Sequence, residues 1–161
     1  MRTRVATAAD LAGIEGVLRA SAMVWEEDRP FLVEHPHAIA VPVDLVDRGC
    51  VRVAVESGAV VGFASYVVGD ARTWEVEDLF VRPDLMRHGI GRLLVEEMVG
   101  AATAAGCVRL EVTANPQAAG FYERLGFAQL GPVPTRFRPG VRMRRQLRPC
   151  RHADDPAGTS A

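Results

Sequence analysis

The feature of this sequence that leaves the fewest folds open is a strand, a glycine loop, a helix and a second strand, in that order, between Trp74 and Thr113. Val76, Leu79, Phe80 and Val81 read as strand, with Trp74 and Val76 inward and Glu75 and Glu77 outward until the alternation slips at Asp78 and resumes at Leu79. A slip of one residue is the mark of a β-bulge. A bulge here splays the strand and strips ladder partners from backbone N–H and C=O groups of Leu79, Phe80 and Val81, which then need a ligand. After Pro83, the apolar residues Ile90, Leu93, Leu94, Met98, Ala101, Ala102 and Ala105 share a helical face, with Arg92, Glu96 and Glu97 outward. Gly106 stops that helix. Val108 to Thr113 is the next strand, returning parallel to the first through the helical crossover.

The loop between strand and helix, Arg87-His88-Gly89-Ile90-Gly91-Arg92, offers an anion cradle. Helix N-termini carry unpaired N–H groups and a partial positive charge, and glycine lets a phosphate approach the backbone without meeting a Cβ. Arg87, His88 and Arg92 add side-chain donors, so a pyrophosphate fits. The plainer reading is a solvated loop between a core strand and a core helix. A dinucleotide-binding fingerprint requires a third glycine where this chain has Leu94, so that fold is disfavoured.

Upstream, Thr3 to Thr7 reads as a short strand, and Thr7-Ala-Ala-Asp10 as an N-terminal cap for a helix carrying Leu11, Ile14, Val17 and Leu18. Ser21 to Asp47 is weakly patterned, with an acidic run Glu26-Glu27-Asp28 beside Trp25 and another helical turn or two from Val43 to Arg48. It is a packed cap or a substrate-facing lid. Val51 to Glu56, alternating Val51, Val53 and Val55 against Arg52, Ala54 and Glu56, and Val60 to Val68 form a hairpin about Ser57-Gly58-Ala59. Downstream, Thr135 to Arg138, a Pro139-Gly140 turn and Val141 to Leu147 read as a closing hairpin. Seven arginines and no acid lie between Arg136 and Arg151, which suits the wet face of that hairpin.

Between them, Asn115-Pro-Gln-Ala118-Ala-Gly-Phe121-Tyr122-Glu-Arg-Leu125-Gly126-Phe127 forms a short helix stopped by Gly126. By periodicity alone it is a core-packing helix. With the glycine loop it resembles the GCN5-related N-acetyltransferase superfamily. Strand, Arg/Gln-x-x-Gly-x-Gly/Ala and helix are similar to that superfamily's motif A, and Asn115 to Phe127 is similar to its motif B at every fixed position. Met86 stands where the family usually has Arg or Gln. The resemblance implies a mixed α/β fold: a central, mostly antiparallel twisted sheet of six to seven strands, flanked by helices around a β-α-β acetyl-CoA-binding core. A single domain over residues 1–147 is expected, with a disordered tail over 148–161.

The activity implied is transfer of an acetyl group from acetyl-CoA to a primary amine by direct attack in a ternary complex. Backbone at Leu79 to Val81 pairs with the pantetheine arm as a pseudo-strand and presents an N–H to the thioester oxygen. Arg87, His88, Gly89, Ile90, Gly91 and Arg92 hold the pyrophosphate. Tyr122 resembles the family's general acid, delivering a proton to the departing thiolate, and Asn115 resembles its pantetheine contact, although it also suits a helix cap. Glu75 matches the place of a carboxylate base in several family members, with Glu77, Glu111 or a water chain as alternatives. A module that binds acyl-CoA without turnover is the competing reading, and the acceptor is left unspecified.

Composition removes other classes. The 161 residues carry a net charge of −1, and all nineteen basic residues are arginine, so no global field points to nucleic acid or membrane. Cys50, Cys107 and Cys150 are widely spaced, without metal-ligand or disulfide patterning, so neither a metal nor a disulfide is expected. With no signal-like or membrane-length apolar run, the cytoplasm is the expected compartment. A homodimer is left open.

Overall fold

The computed structural model describes residues 1–22, 34, 40–70, 72–135 and 138–148. The acidic run beside Trp25, Phe137, Cys150 and the expected tail beyond Arg148 lie outside the described residues.

The chain opens with β1 (Arg2–Val5) and α1 (Leu11–Ala22). Thr7 and Asp10 form the expected capping box, with the Asp10 carboxylate also accepting two bonds from the Arg4 guanidinium, at 2.7 and 2.8 Å. Hydrogen bonds from Arg4 outweigh the cost of burial and hold the Asp10 carboxyl at about 2, below its unperturbed 3.8. A depressed carboxylate pKa stabilises the fold above the unfolded value and loses that contribution as pH falls through the folded one. Discounted for solvent around Arg4, which is 38% exposed, the contribution is about 1–2 kcal/mol. Asp10→Asn should therefore shrink the loss of stability between about pH 4 and pH 2, read from urea midpoints across that range; an unchanged acid limb would refute the assignment.

Next come α2 (Val43–Asp47) and the hairpin of β2 (Val51–Glu56) and β3 (Ala59–Val68). Ser57 and Gly58 both take positive φ, 50° and 79°, as a two-residue turn between right-twisted strands requires. The alternation along β2 does not separate a buried face from an exposed one. Val51, Val53 and Val55 pack under α1, while Ala54 belongs to the core on the opposite face, so the strand is covered on both sides.

The β-α-β unit consists of β4 (Thr73–Val81), α3 (Ile90–Ala104) and β5 (Arg109–Ala114). Gly106, at φ 83°, ends α3 with paired bonds from Gly106 N–H to Thr103 and from Cys107 N–H to Ala102, a Schellman stop. Ile90, Leu94, Val95, Met98 and Ala102 are buried against the sheet. Leu93, expected among them, is 40% exposed, because its side chain falls at the edge of the apolar stripe.

The chain closes with α4 (Ala119–Arg124), β6 (Ala128–Val133) and β7 (Gly140–Gln146). The closing hairpin is thus built from an earlier strand than Thr135 to Arg138. The sheet order is β1-β2-β3-β4-β5-β7-β6, with β4 and β5 as its parallel pair and the other neighbours antiparallel. β7 enters between β5 and β6, so its arginines lie over β5 rather than at a free edge. Arg142 and Arg144 reach Glu111, and Arg145 reaches Glu96 on α3; these are bridges across the fold, not a solvated face.

Candidate active site

The bulge expected near Asp78 is present. Tyr66 lies opposite Val76 and Ser65 opposite Asp78, which leaves Glu77 as the extra residue. The parallel ladder to β5 ends at Val76 opposite Val112, whereas β4 runs on to Val81. Beyond Val76, β4 therefore has β3 on one side and no paired strand among the described residues on the other.

Which groups face that opening follows from the ladder. Arg82 N–H donates to the Val61 carbonyl at 2.9 Å, and antiparallel alternation then commits the backbone of Phe80 and Asp78 to β3. Leu79 and Val81 turn theirs the other way. One of those groups is already engaged: Ser21, at the end of α1, donates its hydroxyl to the Val81 carbonyl at 2.9 Å. The groups left for a ligand are Leu79 N–H and C=O and Val81 N–H. Phe80 has a different task from the one expected, its ring stacking on Phe63 at 5.6 Å beneath α1.

At the end of β4 the loop delivers Arg87, His88, Gly89 and Arg92 to the surface. His88 Nδ1 lies 2.9 Å from the Met86 carbonyl, and Gly89 takes φ 84° as the N-cap of α3 without a side-chain cap bond. The first helical bond runs from Leu93 N–H to the Gly89 carbonyl, so the N–H groups of Ile90, Gly91 and Arg92 have no acceptor within the helix. The Ile90 side chain is in the core; only its backbone can serve a ligand. A Cβ on Gly91 would lie 3.3 Å from Phe121 Cζ and 3.8 Å from Val81 Cγ2. The missing side chain thus admits the aromatic ring of α4, and the strand end, the helix terminus and the second motif converge there.

Tyr122, beside Phe121, is 5% exposed, with edge-on contacts to Phe121 at 5.1 Å and Phe127 at 5.3 Å. Burial pushes its phenol well above the usual tyrosine value, so it stays a proton donor at any working pH. Asn115 uses its side-chain oxygen to accept from Gln117 N–H at 2.9 Å, starting the turn that leads into α4.

Glu75 is held by Arg142 at 2.5 Å, and Arg142 also donates to Glu111 at 2.5 Å. Burial raises the Glu111 carboxyl, but hydrogen bonds from Arg144 and Arg142 outweigh it and leave it below its usual value. Glu77 is shifted the other way, by desolvation and then by the charges of Glu75 and Asp78. Desolvation also raises Asp78, partly offset by a hydrogen bond from Ser65. Ser21, Asp78 and Arg142 are participants that sequence reasoning missed. Asp78 is marked in the sequence only as the point where the alternation slips, Ser21 is an ordinary helix-end serine, and the position of Arg142 over Glu75 depends on strand order.

Among the described residues no group of three or more His, Cys, Asp or Glu is placed to hold a metal, and no helix is long and apolar enough to cross a membrane. Cys50 and Cys107 are free thiols.

A mixed sheet whose strands part beside β4, with a bare helix N-terminus at the end of the opening, defines the α/β class of this chain. The chain belongs to the Acetyltransferase (GNAT) family, whose pattern matches residues 18–127. Its fold is shared with PaiA N-acetyltransferase from Thermoplasma acidophilum, solved in complex with coenzyme A, at a TM-score of 0.75 and 17% identity over 91% of this chain and 98% of that one. It is likewise shared with the ribosomal-protein-S18-alanine N-acetyltransferase of Escherichia coli, at a TM-score of 0.66 and 18% identity over 99% and 97% of the two chains. In sequence, glucosamine 6-phosphate N-acetyltransferase 1 of Oryza sativa subsp. japonica is 29% identical over 73 residues, 45% of this chain and 44% of that protein. The match spans less than half the length of that relative.

Proposed function

We propose that this protein transfers an acetyl group from acetyl-CoA to a primary amine by direct attack within a ternary complex. The observation that carries the reading is the opening beside β4, with Leu79 and Val81 N–H groups along it and the α3 N-terminus at its end. Membership of the acetyltransferase family and the coenzyme A bound to the Thermoplasma neighbour support it.

The pyrophosphate rests on the N–H groups of Ile90, Gly91 and Arg92, with Arg87, His88 and Arg92 side chains around it. The pantetheine arm pairs with Leu79 and Val81 as an added strand, and Leu79 N–H faces the thioester oxygen. Anchoring the remote end places the carbonyl and supplies proximity. A β4 carboxylate, Glu75 or Glu77, takes a proton from the acceptor ammonium and passes it to solvent. The free amine attacks the thioester carbon, a C–N bond forms, and the C–S bond breaks as Tyr122 gives its proton to the sulfur. The surplus proton on the new amide nitrogen returns through water to the tyrosinate, so the reaction yields amide, free thiol and one solvent proton.

The test has two arms. Acetyl-CoA at 100 times its Kd should stabilise the wild type by about 2.7 kcal/mol. Gly89→Val, forced into a left-handed backbone, and Gly91→Val, crowding Phe121, should lose most of that shift. A screen of polyamines, aminoglycosides, amino acids and peptide N-termini for thiol release should find an acceptor. No thermal shift at saturating acetyl-CoA refutes cofactor binding; a shift without any turnover makes the protein an acyl-CoA-binding module.

A further inference from the structure

We propose that Arg142 is a positioning residue: by bridging Glu75 on β4 and Glu111 on β5 it withdraws Glu75 from proton transfer and leaves Glu77 as the carboxylate that deprotonates the acceptor. The inference rests on the acetyltransferase reading and resolves which β4 carboxylate serves it.

Four charged side chains form a chain over this face of the sheet. Arg142 Nη1 lies 2.5 Å from Glu75 Oε1 and 3.1 Å from Thr113 Oγ1, its Nη2 lies 2.5 Å from Glu111 Oε2, and Arg144 Nε lies 2.7 Å from Glu111 Oε1. Two arginines and two glutamates balance in charge. Arg142 is 24% exposed and Glu111 11% exposed, so the pairing is sheltered and its geometry fixed by the β5 and β7 register that sets Arg142 opposite Thr113 and Arg144 opposite Glu111. A carboxylate gripped by a guanidinium is committed to that partner, because turning an oxygen toward an acceptor amine breaks a charge-assisted hydrogen bond.

Glu77 differs in each respect. Its side chain makes no hydrogen bond or ion pair among the described residues, and it is the extra residue of the bulge, just past the last β4–β5 pair. That is the mouth of the opening. Leu79, whose N–H faces the thioester oxygen, is two residues further along the strand, a rise of about 7 Å, which spans one amine or an amine and a water. The charges acting on Glu77 are Glu75 and Asp78 on its own strand and Arg142 from β7, whose other carboxylate partner is Glu111 on β5; α1 contributes the neutral Ser21 hydroxyl at the Val81 carbonyl. Desolvation and the two neighbouring acids raise the Glu77 carboxyl, and Arg142 opposes them. Arg142 thus places Glu75 and trims the basicity of Glu77 together.

The experiment titrates side-chain carboxyls by carbon NMR in the ligand-free full chain and measures pH profiles of kcat/KM, for wild type, Arg142→Gln, Arg142→Lys, Glu77→Gln and Glu75→Gln. In Arg142→Gln the Glu77 carboxyl and the acid limb of the profile should both move up, and Arg142→Lys should restore most of the shift. Glu77→Gln should lose about 100-fold or more in kcat/KM, and Glu75→Gln far less. The proposal is overturned if Glu77 titrates alike in wild type and Arg142→Gln, or if Glu75→Gln loses as much as Glu77→Gln. If no amine is acetylated by wild type, the acetyltransferase reading falls and the base role with it, while the NMR titration still decides whether Arg142 sets the Glu77 carboxyl. If Arg142→Gln fails to fold, the kcat/KM losses of Glu77→Gln and Glu75→Gln still decide which β4 carboxylate serves as the base.

Discussion

Tyr122→Phe lowers kcat by about 100- to 10,000-fold at saturating acceptor while leaving acetyl-CoA affinity essentially unchanged, the range typical of a lost general acid. The substitution keeps the ring that packs edge-on against Phe121 and Phe127 and removes only the hydroxyl. That hydroxyl belongs to a residue 5% exposed whose phenol is held protonated by burial, which suits a donor to a leaving thiolate and rules out a base at neutral pH. A fall in kcat without a change in cofactor binding locates the lost interaction in the transition state. Single-turnover measurements with acetyl-CoA bound check that chemistry limits the rate. Undiminished single-turnover rates in Tyr122→Phe would end the general-acid assignment.

Phe63→Ala destabilises the fold by about 3–5 kcal/mol, the range for removing a buried phenylalanine and leaving a cavity. Phe63 is fully buried on β3, in the smaller core beneath α1 together with Ile14, Val17, Val51 and Val53. Against a total stability of about 5–15 kcal/mol for a domain of this kind, this is a large fraction. The ring also supports the site, since Phe80 stacks on it and Phe80 precedes Val81, whose carbonyl Ser21 holds. Chemical denaturation should show the loss, and hydrogen exchange should show its local share at the end of α1 and along β4. A cost below about 1 kcal/mol would mean that α1 and β3 close over the gap, and the two-sided core would then need revision.

Both predictions depend on features of unequal legibility. The β-α-β unit was readable because strand and helix periods differ and because Gly106 and the alternation slip at Asp78 are local marks of a Schellman stop and a bulge. The convergence of Gly91, Val81 and Phe121 was not readable. Gly91 looked like space for a phosphate, whereas its missing Cβ also makes room for a ring thirty residues downstream. The alternation of Val51, Val53 and Val55 against Arg52 and Ala54 on β2 does not report exposure, and the apolar face read for α3 does not bury Leu93. Burial of each face is set by what packs on it, and a strand covered on both sides retains an alternation that no longer reports exposure.

By itself the sequence determined the order of strands and helices as far as α4, the parallel return from β4 to β5, the bulge, the bare N-terminus of α3 and the presence of Tyr122 on a short helix. Each follows from interactions within a few residues of chain: periodicity, caps, glycine backbone freedom and turn chemistry. Only the tertiary structure decided that β7 inserts between β5 and β6, that Arg142 therefore binds Glu75 and Glu111, and that Ser21 occupies the Val81 carbonyl. Those contacts join residues 67, 31 and 60 positions apart in the chain. A side chain's local pattern gives its face but not its partner, because the partner is fixed by strand order and register, which are settled by the packing of the whole sheet.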